Sequence, residues 1–396
     1  MKHFFKVFIV FFVIFTMIFG TSLYLIIAKE DKKLAQVPFP KDITTSPPPK
    51  SDERVNVLLL GVDSLNGNRK GIRTDTIMVL SIDPQNNKAS ILSIPRDTRV
   101  KIRGRKGYDK INAAHAYGGV DLSIKAVKDF LGIPIHHYIK VDYRALYKTV
   151  DDVGGVEVYV PMNMKYDDPY ATPPLHINLK KGRQVLNGEK AMQFLRFRKG
   201  YANQDLGRIQ AQQQFLDALA KKVLSPSSIF NIKDYIDTFN MYVDTDMSTR
   251  EMASLVFKAK NIDLDNLEKE TVPGVPMMIN GIAYYKANTE KLNDLVQRFY
   301  YGGEKRNNVK IAVLNGSGKS GAASSVSEKL IDRGLKPDVV GNADDFNNPK
   351  TIIYYDEKKE EAEKIRRILG KGKLVVNKQK LKEKNVDIIV LVGKDI

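Results

Sequence analysis

Between Val7 and Ala28 the chain reads VFIVFFVIFTMIFGTSLYLIIA, about 22 residues without a charge. At 1.5 Å per residue a helix of that length covers roughly 30 Å, the thickness of a bilayer's hydrocarbon core. A cleavable signal peptide has a shorter apolar region that ends at a small-residue cleavage site, whereas AKEDKKLAQ follows here. The run predicts an uncleaved, single-span transmembrane anchor over residues 7–28. Charge alone does not orient it, because Lys2 and Lys6 precede the span while Lys29, Lys32 and Lys33 follow it. A short arginine-free tail is easily retained, and a large downstream domain translocates largely regardless of charge. Residues 1–6 are therefore expected in the cytoplasm and the bulk of the chain outside the cell membrane.

That placement changes how the composition reads. The formal net charge of +17 favours a polyanionic neighbour: nucleic acid, an anionic membrane surface or an acidic polymer. An extracytoplasmic domain does not meet nucleic acid, so membrane and polymer remain. The chain has no cysteine, which excludes disulfides and thiolate metal sites and fits an exported protein. Within residues 29–53, Pro38 to Asp52 reads PFPKDITTSPPPKSD and lacks apolar periodicity. It is expected to be a semi-rigid stalk.

The chain's 396 residues, at 43% hydrophobic content, leave room for two or three domains with ordinary cores. Strand-like runs RVNVLLLGVD, DTIMVLSIDP and KASILSIPRD follow one another, and the turn Pro84 to Asn87 predicts antiparallel pairing of the last two. Helical periodicity appears at Ala113–Leu131, Tyr143–Asp152, Gly188–Leu195 and Asp205–Leu224, with a strand GGVEVYVP between the second and third. The order predicts an α/β sandwich, a mixed central sheet between helices, over residues 54–303. After GGEKRNN, residues 308–396 alternate short strands and helices and predict a small separate C-terminal α/β domain.

Strand topology then gathers charge. Asp63 closes the first strand and Asp75 opens the second, so antiparallel pairing brings both carboxylates to one end of the sheet. The third strand returns Arg96 and Asp97 to that end, and Arg73 shares a face with Asp75 two residues on. Strand-terminal ion pairs are a bland alternative. Two carboxylates beside two guanidiniums suit a Mg²⁺-bridged phosphate, since Mg²⁺ takes one or two carboxylates plus phosphate oxygens and the arginine fork matches phosphate.

A second group lies in LRFRKGYANQDLGRIQAQQQFL, residues 195–216. At 100° per residue Asp205, Arg208 and Gln212 fall on the side of Ile209, Phe215, Leu216 and Leu219, while Gln210, Gln214 and Lys221 point away. Charges on a core-facing stripe need a partner or a ligand. A buried Asp205–Arg208 ion pair would satisfy them, and so would an anion at the helix N-terminus. Arg196 and Arg198 precede the helix and share one side if that link is extended.

The blocks RTDTIMVLSIDP, SILSIPRDT, GYDKINAAHAYGG, LGIPIHHYIKVDY, VGGVEVYVP and LRFRKGYANQDLGRIQAQQQFL, in that order over residues 54–224, resemble the LytR-CpsA-Psr (LCP) family. The C-terminal section with VLNGSGKSGAA resembles the LytR-type accessory domain that follows the core in some members. The resemblance implies a membrane-anchored extracytoplasmic phosphotransferase. Such an enzyme moves an anionic glycopolymer, teichoic acid or capsule, from a polyprenyl-pyrophosphate carrier to the C6 hydroxyl of N-acetylmuramic acid in peptidoglycan. It implies that Asp63 and Asp75 hold Mg²⁺ and that Arg73, Arg96, Arg196, Arg198, Arg208 and Gln212 contact the pyrophosphate. Lys110 would sit beside it, and Asp205 would orient an arginine or assist proton removal. Asp75, Arg96, Asp205 and Arg208 are the expected catalytic set. A lipid carrier would also need an apolar groove, placed between Ala113–Leu131 and the inner face of the helix beginning at Asp205. A non-catalytic wall-polymer or prenyl-phosphate binding protein and a lipid-pyrophosphate hydrolase are the competing functions.

Other signals carry less. GSGKSG (Gly316 to Gly321) has Val313 where a phosphate-binding P-loop needs its first glycine, and it reads as a glycine turn starting a helix. His136-His137 has no partner at zinc-ligand spacing. The lysine-rich GKGKLVVNKQKLKEKN reads as a solvated surface.

Overall fold

The computed structural model describes residues 45–47, 53–62, 71–142, 144–170, 174–197, 211, 214, 215, 218, 219, 221, 222, 232–248, 251, 252, 254, 255, 267–301 and 309–396. The apolar run 7–28 lies outside them, as do Asp63, Arg198, Asp205, Arg208 and Gln212. No helix among the described residues is long and apolar enough to cross a membrane.

The first domain is built on a six-stranded mixed sheet. Strands β1 (Val55–Val62), β2 (Thr74–Asp83) and β3 (Lys88–Ser93) form an antiparallel meander. Every residue of β1 is buried, which is why its apolar run is continuous rather than alternating: both faces are covered. Asn87 closes the β2–β3 turn at φ 49°, a left-handed position that asparagine tolerates. A small hairpin, β4 (Arg99–Lys101) and β5 (Tyr108–Lys110), leads into helix α1 (Ala113–Leu131). Strand β6 (His137–Asp142) then pairs parallel with β1. Helix α2 (Arg144–Asp152) follows, then β7 (Val156–Val160), β8 (Met164–Asp168), β9 (Leu175–Leu179), β10 (Gly182–Leu186) and α3 (Gly188–Arg196). Helix α4 (Ile232–Tyr242) precedes the edge strands β11 (Val243–Thr245) and β12 (Glu268–Thr271), giving the order β11-β6-β1-β2-β3-β12. A hairpin of β13 (Gly274–Ile279) and β14 (Ile282–Ala287) and helix α5 (Thr289–Tyr301) complete the domain.

Alternate residues of the sheet feed two cores. Leu58, Leu60, Ile77, Val79, Leu92 and Tyr138 pack under α1 and α5. Val57, Leu59, Met78, Ile91, Ile139 and Val141 pack with Ala145 of α2 and Phe239 of α4 on the opposite face. A third cluster joins β7–β10 and α3 to the helical residues Ala211, Phe215 and Leu219, with the Phe194 and Phe215 rings 6.1 Å apart. Gln214 and Lys221 are exposed, so the described part of that helix has the phase expected from its sequence. Helix α1 has the bounds its periodicity predicts, but it is kinked at Gly118–Gly119, where Gly119 adopts φ 63°, ψ −150°.

The C-terminal domain runs β15 (Ile311–Asn315), α6 (Ala322–Ile331), β16 (Val339–Asn342), β17 (Ile352–Tyr355), α7 (Lys359–Leu369), β18 (Lys373–Val376), α8 (Lys378–Lys384) and β19 (Ile388–Val392). Its five strands are ordered β16-β15-β19-β17-β18. The lysine-rich section contributes an edge strand and a short helix, anchored by Leu381 (4% exposed); its lysines face solvent except Lys380, whose ammonium lies 4.4 Å from the Tyr354 ring centre. GSGKSG forms a turn before α6: Gly321 is the N-cap at φ 78°, and the Lys319 ammonium donates to the Ile396 carbonyl at 3.0 Å.

The two domains meet through buried charge. Lys128 of α1 is fully buried and reaches Asp332 at 2.6 Å and Glu328 at 3.3 Å. Arg103 bridges Asp129 at 2.6 Å and Glu328 at 2.9 Å. Burial alone would make the Arg103 guanidinium easier to deprotonate, and the two carboxylates more than reverse this. Ser46 closes the seam, accepting from the Ile135 amide and donating to Asp332 at 2.6 Å.

Candidate active site

The β2–β3 register pairs Met78 with Ser93, and the Ile94 amide continues the ladder by donating to the Ile77 carbonyl at 2.9 Å. Extending that register places Arg96 opposite Asp75, where the guanidinium hydrogen-bonds Asp75 Oδ1. Arg96 also lies 3.9 Å from Asp97, whose other oxygen accepts from Lys110 Nζ at 2.8 Å. A chain of alternating charge, Asp75, Arg96, Asp97, Lys110, thus crosses the sheet end from β2 to β5. Asp75, Arg96 and Asp97 keep 37–50% of their side-chain surface in contact with solvent, so they face solvent rather than the core.

Backbone bonds fix these side chains. The Arg96 carbonyl accepts from the Asn112 amide at 3.2 Å and the Thr98 carbonyl from the Ile111 amide at 2.8 Å. The Asp97 carbonyl accepts from the Tyr285 amide at 2.8 Å, which ties the β13–β14 hairpin to the same edge. Val62 of β1 pairs with Thr74 and, in parallel register, with Asp142, so the ends of β1, β2 and β6 coincide.

Three polar atoms around this end are buried without a hydrogen-bond partner among the described residues: Thr74 Oγ1, Asn112 Oδ1 and His115 Nε2. Orphaned buried polar atoms are rare and mark places where a ligand or ordered water belongs. The other ring nitrogen of His115 lies 2.7 Å from the Ile72 carbonyl, which makes it the protonated one and leaves Nε2 an acceptor. Burial pushes the His115 imidazolium below the usual histidine range, with the Lys140 charge adding to the effect. Its packing braces the backbone that presents Arg73 and Asp75. Sequence reasoning passed over His115, because its partner is a backbone carbonyl and no spacing rule reveals that. Topology brings Asp97 to the sheet end, but no sequence pattern reveals it as the bridge between Arg96 and Lys110.

Arg73 is exposed immediately before β2, and Arg196 is half-buried at the end of α3. No ion pair among the described residues joins either of them to the Asp75–Arg96 group. Phe197 follows in extended geometry (φ −66°, ψ 129°), so the chain leaves α3 extended. Arg198, Asp205, Arg208, Gln212 and Asp63 lie outside the described residues. His136 is structural, its Nδ1 accepting from the buried Asn56 amide at 2.9 Å.

Around Lys110 the surface is cationic and aromatic. The Arg99 guanidinium stacks 4.0 Å from the Tyr108 ring centre, and that of Arg105 lies 4.1 Å from Tyr117. The Tyr117 hydroxyl in turn donates to Asp109 at 2.6 Å.

A mixed sheet whose end carries paired arginine, lysine and carboxylate groups open to solvent defines an α/β protein with a charged sheet edge. The chain belongs to the LytR-CpsA-Psr family, whose model matches residues 18–299. Residues 308–395 match the model described as LytR cell envelope-related transcriptional attenuator. Over 247 residues the chain is 36% identical to a Bacillus cereus protein named polyisoprenyl-teichoic acid–peptidoglycan teichoic acid transferase TagU, covering 62% of this chain and 78% of that one. A protein of the same name from Oceanobacillus iheyensis is 36% identical over 253 residues, 62% of this chain and 74% of that one. A solved Streptococcus agalactiae structure shares the fold, with a TM-score of 0.50 at 23% identity over 65% of this chain and 90% of that one.

Proposed function

We propose that this chain is an extracytoplasmic phosphotransferase, held by a transmembrane anchor at residues 7–28. It moves an anionic glycopolymer of the teichoic acid type from a polyprenyl-pyrophosphate carrier to the C6 hydroxyl of N-acetylmuramic acid in peptidoglycan. The relatives' names support the reaction class, and the Arg96–Asp75 pair beside Lys110–Asp97 is the observation that carries the site.

In this reading Arg73, Arg96, Lys110, Arg196, Arg198, Arg208 and Gln212 bind the donor's pyrophosphate. Phosphoryl transfer needs positioning and charge neutralisation more than covalent chemistry from the protein. The acceptor hydroxyl oxygen forms a bond to the phosphorus that carries the polymer. The bond from that phosphorus to the bridging oxygen breaks, and polyprenyl phosphate leaves. Asp205 either takes the hydroxyl proton or orients an arginine.

Asp63 and Asp75 would hold Mg²⁺, which when bound neutralises charge on the pyrophosphate oxygens. The carboxylate donor suits it: Asp75 Oδ2 makes no hydrogen bond among the described residues, and Mg²⁺ completes such sites with phosphate and water oxygens. No cluster of three or more potential ligands forms among the described residues, so the suitable arrangement is one or two carboxylates plus substrate.

The test is turnover with a lipid-pyrophosphate-linked donor and a peptidoglycan acceptor. Asp75→Ala and Arg198→Ala should each abolish released polyprenyl phosphate and phosphodiester-linked product while leaving the circular dichroism spectrum unchanged. Full activity in both variants would refute the site. Saturable binding without product would make the protein a binding module, and released phosphorylated polymer without acceptor a hydrolase.

A further inference from the structure

Beside the charged sheet end, the β13–β14 hairpin exposes apolar side chains on both of its faces. Val275 is 60% exposed, Met278 65% and Ile282 49%, around a tight turn at Asn280 (φ 49°) and Gly281 (φ 77°). In the hairpin register Met278 lies opposite Ala283 and Ile279 opposite Ile282, so both strand ends beside the Asn280–Gly281 turn are apolar. A two-stranded ribbon that packed on one protein surface would need only one apolar face. Soluble surfaces carry scattered apolar residues, but contiguous patches mark interaction sites.

Composition along the hairpin is graded. The strand ends carry Met277, Met278, Ile279 and Ile282, followed by Tyr284, and then Lys286 opposite Val275, while the Tyr285 ring packs on the domain core. The segment Gly274–Ala287 holds no carboxylate. Apolar, then tyrosine, then cation is the order of side chains met on leaving a bilayer for water over an anionic headgroup layer.

From these observations we infer that the β13–β14 tip docks on the anionic lipid surface, its Met278–Ile282 end seated at the headgroup–acyl boundary. This rests on the proposed lipid-carrier function. The hairpin is bonded to the site by the Tyr285 amide on the Asp97 carbonyl, and Lys110 Nζ lies 6.0 Å from the Tyr284 ring centre. Docking therefore sets the charged sheet end beside the headgroup layer, where a membrane-embedded pyrophosphate lies. Only the tip enters, because unpaired strand edges cannot be carried deep into hydrocarbon.

The tether permits this orientation. Ser46 is bonded to Ile135, at the sheet end opposite the site. From residue 28 to residue 46 there are 18 residues, which extend to about 60 Å. The eight-residue β1 spans about 26 Å, so the stalk reaches past the sheet with length to spare.

The chain contains no tryptophan, so Met278→Trp supplies a single indole reporter in the full-length protein. Reconstituted in phosphatidylglycerol–phosphatidylcholine vesicles, its emission should shift to the blue and be quenched by brominated acyl chains. Tyr170→Trp, at a side chain 93% exposed on the β8–β9 hairpin, gives the value for an indole in water. Quenching of Met278→Trp no greater than that value overturns the inference. So does a blue shift that depends on protein concentration without lipid quenching, which would mean a second copy covers the tip. In a parallel assay Met278→Asp/Ile282→Asp should lose roughly tenfold in turnover of a long-chain, bilayer-embedded donor and nothing with a short-chain soluble donor. Equal turnover of both donors would again overturn it. Quenching requires no turnover, so a protein that docks but transfers nothing would leave this inference standing and refute the transfer reading.

Discussion

Lys128 Nζ lies 2.6 Å from Asp332 Oδ1, and the lysine that makes this bond between two domains has no solvent exposure at all. A buried ammonium persists only with its partners in place. The C-terminal domain is therefore fastened to the back of α1, the helix whose first turns carry His115 and Tyr117 to the site.

Removing that ammonium leaves Glu328 with Arg103 and Asp332 with the Ser46 hydroxyl, one cation short in a largely buried seam. Lys128→Met should destabilise the protein by roughly 3 kcal/mol, the range for breaking a buried pair. Adding Glu328→Gln and Asp332→Asn should restore part of the loss. Thermal unfolding measures both, and an unchanged midpoint for the single variant would contradict the buried pairing.

The kink in α1 lies at Gly118–Gly119, and the second glycine carries the left-handed backbone. Gly119 at φ 63°, ψ −150° occupies a region that side-chain-bearing residues almost never adopt. A Cβ there meets no atom within 4 Å, so strain rather than collision is the cost. Gly119→Ala should destabilise by about 1–3 kcal/mol. A melting temperature equal to wild type would show that the helix straightens freely.

His115 predicts a pH effect. Its folded-state pKa lies below the ordinary value, so the unfolded chain takes up the proton first as pH falls. The stability it contributes is complete above roughly pH 6.5 and is lost as pH drops below that. Wild type should therefore lose more melting temperature between pH 7 and pH 5 than His115→Gln does. Parallel pH profiles would contradict this.

Arg96 reaches Asp75 through one guanidinium nitrogen and lies 3.9 Å from Asp97 through Nε, a spread of donors that a single ammonium cannot copy. Arg96→Lys keeps the charge, yet transfer should fall by about tenfold or more, with a raised donor KM. Wild-type kinetics in this variant would reduce Arg96 to a point charge.

Much of this arrangement was readable from residue patterns. β1–β3 are long apolar runs split by Pro84–Asn87, and their antiparallel order alone brings Asp75 and Arg96 to one end. Helix α1 has a clear period and ends at Gly132, a left-handed cap. Elements with weak local signals were not readable. β4 and β5 are three residues each, and β18 with α8 sit in lysine-rich sequence where periodicity is faint. Lys128 looks like any surface lysine, because the carboxylates that justify its burial come 200 and 204 positions later. His115 was hidden for a related reason, since its partner is the Ile72 carbonyl rather than a side chain.

If a lipid-linked pyrophosphate binds at the sheet end marked by Asp75 and Arg96, a co-crystal of the protein with a prenyl-pyrophosphate lipid will show it. Diphosphate density is expected within hydrogen-bond distance of Arg96 and Lys110, with Arg198 closing over it and the prenyl chain running between α1 and the helix that carries Phe215. Diphosphate density bound elsewhere, with the Arg96–Asp75 pair undisturbed and facing solvent, would contradict it.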